Sequence, residues 1–170
     1  MSTRYVAFLR GVTPMNLKMP ALASCLEAAG FTNVRTILAS GNVAFDTRKA
    51  EAGLEKAIEA AMQEHLGRVF VPYVRSVDHL KALLARDPFA PFRVAKDAKR
   101  IVSFVRKAPK PAPKLPVTLE KATIHALEDR DIFTSYVRQP GNPAFMRLIA
   151  KTFGDEVTTR TWETVEKVVR

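Results

Sequence analysis

The stretch Val34-Arg35-Thr36-Ile37-Leu38-Ala39-Ser40-Gly41-Asn42-Val43-Ala44-Phe45 decides the fold. Its two apolar runs, Val34 to Ala39 and Val43 to Phe45, are separated by Ser40-Gly41, a pair suited to the tight two-residue turn of a hairpin. Two antiparallel neighbouring strands are therefore expected. Working outward, Tyr5 to Leu9 reads as a buried strand. After a loop from Thr13 to Met19, a helix opens with Pro20 in its first turn, where a missing N–H does no harm. Leu22, Cys25, Leu26 and Ala29 share one stripe of that helix, and Gly30 supplies a left-handed stop. Beyond the hairpin, Leu54, Ala57, Ile58, Ala61, Met62 and Leu66 repeat at helical spacing before Gly67. Val69 to Arg75 then reads as a strand whose Pro72 suits a sheet edge. Residues 1–76 thus run βαββαβ, the order of a ferredoxin-like α/β plait with both helices on one face.

Residues 77–98 read as a connection: Ser76 caps a helix carrying Val77, Leu80, Leu83 and Leu84, which Asp87-Pro88 stops. The aromatic pair Phe89 and Phe92 after that stop is expected to fold back over a core. Residues 99–170 open with a strand from Ile101 to Val105 and pass through a proline-rich segment, Pro109 to Pro116. A second hairpin follows, Thr123 to Leu127 and Ile132 to Val137, around the polar turn Glu128 to Asp131. Asn142 and Pro143 read as the cap and first turn of a helix ended by Gly154, Glu156 to Thr159 as a closing strand, and Trp162 as the start of a last helix. The chain therefore reads as α+β, two tandem plait-like halves, the second lacking or shortening its first helix.

The composition, 47% hydrophobic and 26% charged over 170 residues, is that of an ordinary packed globule. No run approaches the roughly 20 apolar residues of a membrane span, and Met1-Ser2-Thr3-Arg4 leads straight into a strand, so a cytoplasmic protein with no membrane partner is expected. Cys25 is the only cysteine, which leaves no partner for an internal disulfide or a thiolate zinc cage. The net charge of +10 favours anionic partners, and the excess lies mainly beyond residue 98, with fourteen basic against eight acidic groups. Between Asp97 and Glu120 no acid occurs, while Lys99, Arg100, Arg106, Lys107, Lys110 and Lys114 do. For so short a run a solvated face is the simpler reading.

A right-handed helical crossover makes the first two strands of a plait parallel, so their C-terminal ends share one edge of the sheet. The loop from Arg10 to Lys18 and the turn Ser40-Gly41-Asn42 should then be neighbours, with the approach to the fourth strand near Arg68 beside them. Arg10, Lys18 and Arg68 would supply charge, and Thr13, Asn16, Ser40 and Asn42 hydroxyls and amides. The backbone at Gly41 and at the Pro20 helix start would supply N–H groups to a phosphate or carboxylate. Gly11, Gly41, Ser40 and Asn42 are equally what tight loops need on conformational grounds alone.

Tyr5-Val6-Ala7-Phe8-Leu9-Arg10-Gly11-Val12, Lys18-Met19-Pro20, Gly30-Phe31-Thr32-Asn33-Val34-Arg35-Thr36 and Ser40-Gly41-Asn42-Val43 together closely resemble the bacterial family known as domain of unknown function 1697. The run from Thr159-Arg160-Thr161-Trp162 to Val168 resembles that family's closing motif; Trp162 reads first as an anchor between elements, and as a pocket wall beside Arg160 it joins Arg160 among the candidate ligand-binding residues. The resemblance implies a cytoplasmic bacterial protein with tandem plait domains and brings no established activity. Thr13-Pro14-Met15-Asn16 stands where many members have Asn-Val-Gly-Gly, which removes a glycine nest, and Thr161 stands where Asn is more usual, which keeps a capping group.

No nucleophile and base at catalytic spacing, metal-ligand cluster or phosphate loop occurs, so catalytic residues stay unassigned and no metal or organic cofactor is expected. His65, His79 and His125 fall on separate elements. Glu128, Asp129 and Asp131 crowd a hairpin tip, where a solvated turn is expected. The reading that follows is a binder of a small anionic ligand at the Arg10 and Ser40-Gly41-Asn42 edge. The alternatives are a nucleic-acid module using the basic C-terminal half, an enzyme on a phosphorylated or carboxylated metabolite, and a structural protein presenting surfaces to a partner. Against nucleic acid, the only aromatics on the central strands, Tyr5, Phe8 and Phe45, read as core.

Overall fold

The computed structural model describes residues 1–170 as an α+β protein with two antiparallel sheets and five helices. The chain divides into two compact units, Met1–Leu83 together with Glu166–Arg170, and Leu84–Val165. No helix is long and apolar enough to cross a membrane.

In the first unit the order is β1 (Thr3–Leu9), α1 (Met19–Ala28), β2 (Thr32–Ile37), β3 (Asn42–Thr47), α2 (Leu54–Leu66) and β4 (Pro72–Ser76). The sheet runs β2-β3-β1-β4. Because β3 is antiparallel to both β1 and β2, those two strands point the same way. Pro72, which has no N–H to donate, stands on the edge strand β4 opposite Leu9.

Alternation sends Tyr5, Ala7 and Leu9 of β1 and Val43 and Phe45 of β3 into one core with Leu22, Cys25 and Leu26 of α1 and Leu54, Ile58, Ala61 and Met62 of α2. Each large side chain so buried contributes roughly 1.5–3 kcal/mol. The intervening residues Val6, Phe8 and Ala44 are buried as well, so both faces of the central strands are apolar and covered. α1 ends as its glycine foretells: Gly30 takes φ +94°, its N–H bonds the Glu27 carbonyl at 3.0 Å, and the Phe31 N–H reaches back to Leu26 at 3.1 Å. That pair of bonds is a Schellman stop.

The hairpin joining β2 and β3 differs from the expected two-residue turn. β2 stops at Ile37, which pairs with Asn42, so the turn comprises the four residues 38–41. Leu38 at φ +61° and Gly41 at φ +86° both take the left-handed region, which turns the chain earlier than Ser40-Gly41 alone would.

α3 (Val77–Arg86) leads out of the first unit, and the Ser76 hydroxyl accepts the His79 N–H at 3.1 Å, the expected cap. The second unit contains β5 (Lys99–Phe104), β6 (Val117–Leu119), β7 (Ala122–Glu128), β8 (Asp131–Tyr136), α4 (Ala144–Phe153) and β9 (Thr158–Thr161), and α5 (Trp162–Val168) follows. Its sheet runs β6-β7-β8-β5-β9. Ile101, Ala122, Ile124 and Ile132 pack with Phe145, Leu148 and Ile149 of α4. Phe89 does fold back, meeting Phe133 and Trp162 edge to face at 5.7 and 5.2 Å between ring centres.

Three sequence expectations are corrected in this unit. The proline-rich segment ends in a strand, β6, which forms a hairpin with β7 around Glu120-Lys121, Glu120 taking φ +54° in place of a glycine. Asn142 does not cap α4: its amide donates to the Glu120 carboxylate and its side-chain oxygen accepts from the Arg147 side chain at 3.1 Å, so no backbone N–H of the helix start is capped by it. Two of the three carboxylates at the β7–β8 turn are not simply solvated either, while Asp129 is exposed as expected. Asp131 is 2% exposed, and the Glu128 carboxylate receives both terminal nitrogens of Arg86.

Candidate functional site

Two backbone hydrogen bonds build the sheet edge that the topology foretells. The Leu9 N–H donates to the Gly41 carbonyl at 2.8 Å, and the Arg10 N–H donates to the Val71 carbonyl at 3.0 Å. The loop after β1, the β2–β3 turn and the approach to β4 therefore converge at one end of the first sheet. Gly41 is required there sterically: a Cβ at this position would stand 2.8 Å from the Cβ of Val12.

The side chains divide into those that hold this edge together and those that face outward. Asn42 is fully buried, and its amide nitrogen donates to the Ile37 carbonyl at 2.8 Å and to the Ser40 hydroxyl at 2.9 Å. A buried amide satisfied in this way fixes the turn, so the geometry gives Asn42, and with it Ser40, a structural task where a ligand contact was expected. In the preceding loop, the Asn16 carbonyl oxygen accepts the Thr13 N–H and its amide donates to the Gly11 carbonyl, both at 2.8 Å. The Thr13 hydroxyl accepts the Met15 N–H at 3.2 Å, and Lys18 Nζ donates to the Pro14 carbonyl at 2.8 Å. These side chains give a loop that bonds to itself. The helix start offers an anion little, because Pro20 has no N–H and Ala21 and Leu22 both donate to the Lys18 carbonyl.

Arg10 and Arg68 are exposed, Arg68 lying 4.7 Å above the Phe70 ring. With Lys18 they give the edge three cations, and residues 10–18, 38–42 and 67–72 contain no acid. The same three segments carry four exposed apolar side chains, Met15, Leu38, Val69 and Val71, at 91%, 47%, 39% and 38% exposure. Sequence reading missed this apolar fringe. Its only signal was that Val69 and Val71 flank Phe70 on an edge, which points them away from the ring that enters the core.

Arg160 and Trp162 make their contacts in the second unit. Arg160, 8% exposed, donates to the Thr158 hydroxyl at 2.9 Å and the Thr159 carbonyl at 2.8 Å, and burial lowers its pKa to about 10, which leaves it charged at neutral pH. Trp162 is 5% exposed and borders a hollow of about 260 Å³ with Lys96, Lys99 and Arg100. Thr161 keeps its capping role, accepting the Thr164 N–H at 3.2 Å.

The sequence profile of the family described as "Protein of unknown function (DUF1697)" matches residues 2–133. No curated protein matches the chain. Among solved structures, the conserved bacterial protein SP0830 from Streptococcus pneumoniae is similar, with a TM-score of 0.76 at 18% identity over 99% of this chain and 97% of that one. At that identity the likeness is one of fold.

Proposed function

We propose that this chain, which belongs to the DUF1697 family of proteins of unknown function, binds a small anionic ligand with an apolar body at the Arg10 edge of its first sheet. One observation carries the reading: backbone bonds at Leu9 and Arg10 gather three acid-free segments that carry both Arg10, Lys18 and Arg68 and the exposed Met15, Leu38, Val69 and Val71. A carboxylate or phosphate would meet the cations while its hydrocarbon part covers the apolar fringe. The rigid, self-bonded loop lowers the ordering entropy lost on binding.

We read the two units as tandem ferredoxin-like plaits. The first has the order β2-β3-β1-β4, and the second repeats it as β7-β8-β5-β9, with β6 standing where the first crossover would carry a helix. A cytoplasmic setting suits the single buried thiol of Cys25. The nucleic-acid and enzyme readings gain no support from the geometry, since Tyr5, Phe8 and Phe45 are core residues and the histidines lie on α2, α3 and β7.

The test is a thermal-shift series with octanoate and octyl phosphate against acetate and inorganic phosphate, on wild type and Arg10→Ala. The octyl compounds should stabilise wild type more than their short counterparts do, and lose most of that effect in the variant. Equal stabilisation of both proteins would sink the edge site.

A further inference from the structure

Where β8 ends, the chain turns through Val137 to Pro143 into α4 beside a hollow of about 380 Å³. Strand register assembles its wall. Lys99, the first residue of β5, lies opposite Tyr136 at the end of β8, and Tyr136 is also opposite Ala122 at the start of β7. The preceding Lys121 accepts the Val137 N–H at its carbonyl, 3.1 Å away, and Arg138 comes one residue later. Lys99, Lys121 and Arg138 thus reach one concavity from three strand ends, and the lining contains no acid.

These cations are uncommitted: no ion pair or side-chain hydrogen bond engages Lys99, Lys121 or Arg138. The nearby acid is turned to another task, because the Glu120 carboxylate receives the Asn142 amide and faces Arg147 at 3.7 Å. That bond pins the 139–142 turn, already closed by the Asn142 N–H to Gln139 carbonyl bond at 2.9 Å, against the β6–β7 hairpin. Tyr136 and Phe145, stacked in parallel at 4.7 Å between ring centres, line the hollow beside Met146 and Pro140. A concave wall bearing like charges focuses an electrostatic field, and a volume near the lower end of the ~300–1,000 Å³ range of ligand sites fits a metabolite.

We propose that this hollow is a second binding site, for a small phosphorylated metabolite whose phosphate sits among Lys99, Lys121 and Arg138 and whose body rests against Tyr136 and Met146. Three cations match a dianion better than a single carboxylate, and the Arg138 guanidinium can bind two phosphate oxygens at once. The site is independent of the Arg10 edge.

The experiment is an NMR titration of the full ¹⁵N-labelled chain with AMP, pyrophosphate and adenosine. AMP and pyrophosphate should move the amides of residues 137–146, and adenosine should not. The double variant Lys121→Ala, Arg138→Ala, whose side chains are exposed, should keep the native amide fingerprint and lose affinity for AMP on the order of 100-fold. Lys49→Ala, an exposed position in neither site, should bind AMP as wild type does. Absence of AMP binding, shifts mapping to residues 10–18 and 38–41 instead, adenosine binding as tightly as AMP, or unchanged affinity in the double variant would each overturn the assignment. So would binding confined to oligonucleotides.

Discussion

At the scale of single residues, Gly41 and Gly11 separate two effects that a glycine can have. Both take the left-handed backbone, φ +86° and +78°, but a Cβ on Gly41 would collide with Val12, whereas one on Gly11 meets nothing within 4 Å. Gly11→Ala should therefore lose only the conformational preference, about 1 kcal/mol. Gly41→Ala should lose that and the overpacking term as well, about 2–4 kcal/mol in all. Urea unfolding of the two variants checks the difference, and equal losses would mean that the close approach to Val12 relaxes freely. The same comparison shows how far the candidate site was legible from sequence. Alternation and crossover handedness suffice to place Arg10 beside Ser40-Gly41, because they follow from chain connectivity. They say nothing of whether Asn42 faces solvent or the Ile37 carbonyl, since that depends on the local path of the turn, where Leu38 takes the left-handed region.

At the scale of elements, helix ends and strand periods were readable where the sequence carries the cause. Gly30 closes α1 by the Schellman bonds, and Ser76 caps α3, because backbone donors and acceptors must find partners at those points. β6 was not readable. Val117-Thr118-Leu119 alternates, but three residues next to Pro116 are too short a run to stand out from a loop, and the strand exists only through pairing with β7, Val117 opposite Ile124. The β7–β8 hairpin carries a further device, a bulge at His125 between Ile124 and Ala126. The ring stacks on Phe92 at 4.8 Å, and Nε2 lies 2.6 Å from the Ser135 hydroxyl. Burial lowers the His125 pKa below its ordinary value. The unfolded chain therefore takes up this proton first as pH falls through about 6.5, and the folded state loses stability from there down to the depressed folded pKa. In His125→Phe, stability measured by urea at pH 7.5 and 5.5 should differ less than in wild type. An unaltered difference would assign the pH dependence to other groups.

For the whole molecule, a net charge of +10 means that compaction works against self-repulsion. Raising sodium chloride from about 10 mM to about 150 mM shortens the Debye length from about 30 to 8 Å, so the melting temperature should rise. A fall would show that surface ion pairs such as Arg4 with Asp46, 2.9 Å apart, outweigh the repulsion. That SP0830 shares the fold at 18% identity fits a structure set by core periodicity and short connections. The first unit also contains the last five residues of the chain, Glu166–Arg170, and Arg35 donates to the Arg170 carbonyl at 2.7 Å. During synthesis the N-terminal sheet can form early, but the last piece of its unit is made only after the entire second unit has been translated. At roughly 5–20 residues per second that delay is on the order of ten seconds, long enough for a nascent intermediate to be exposed to chaperones.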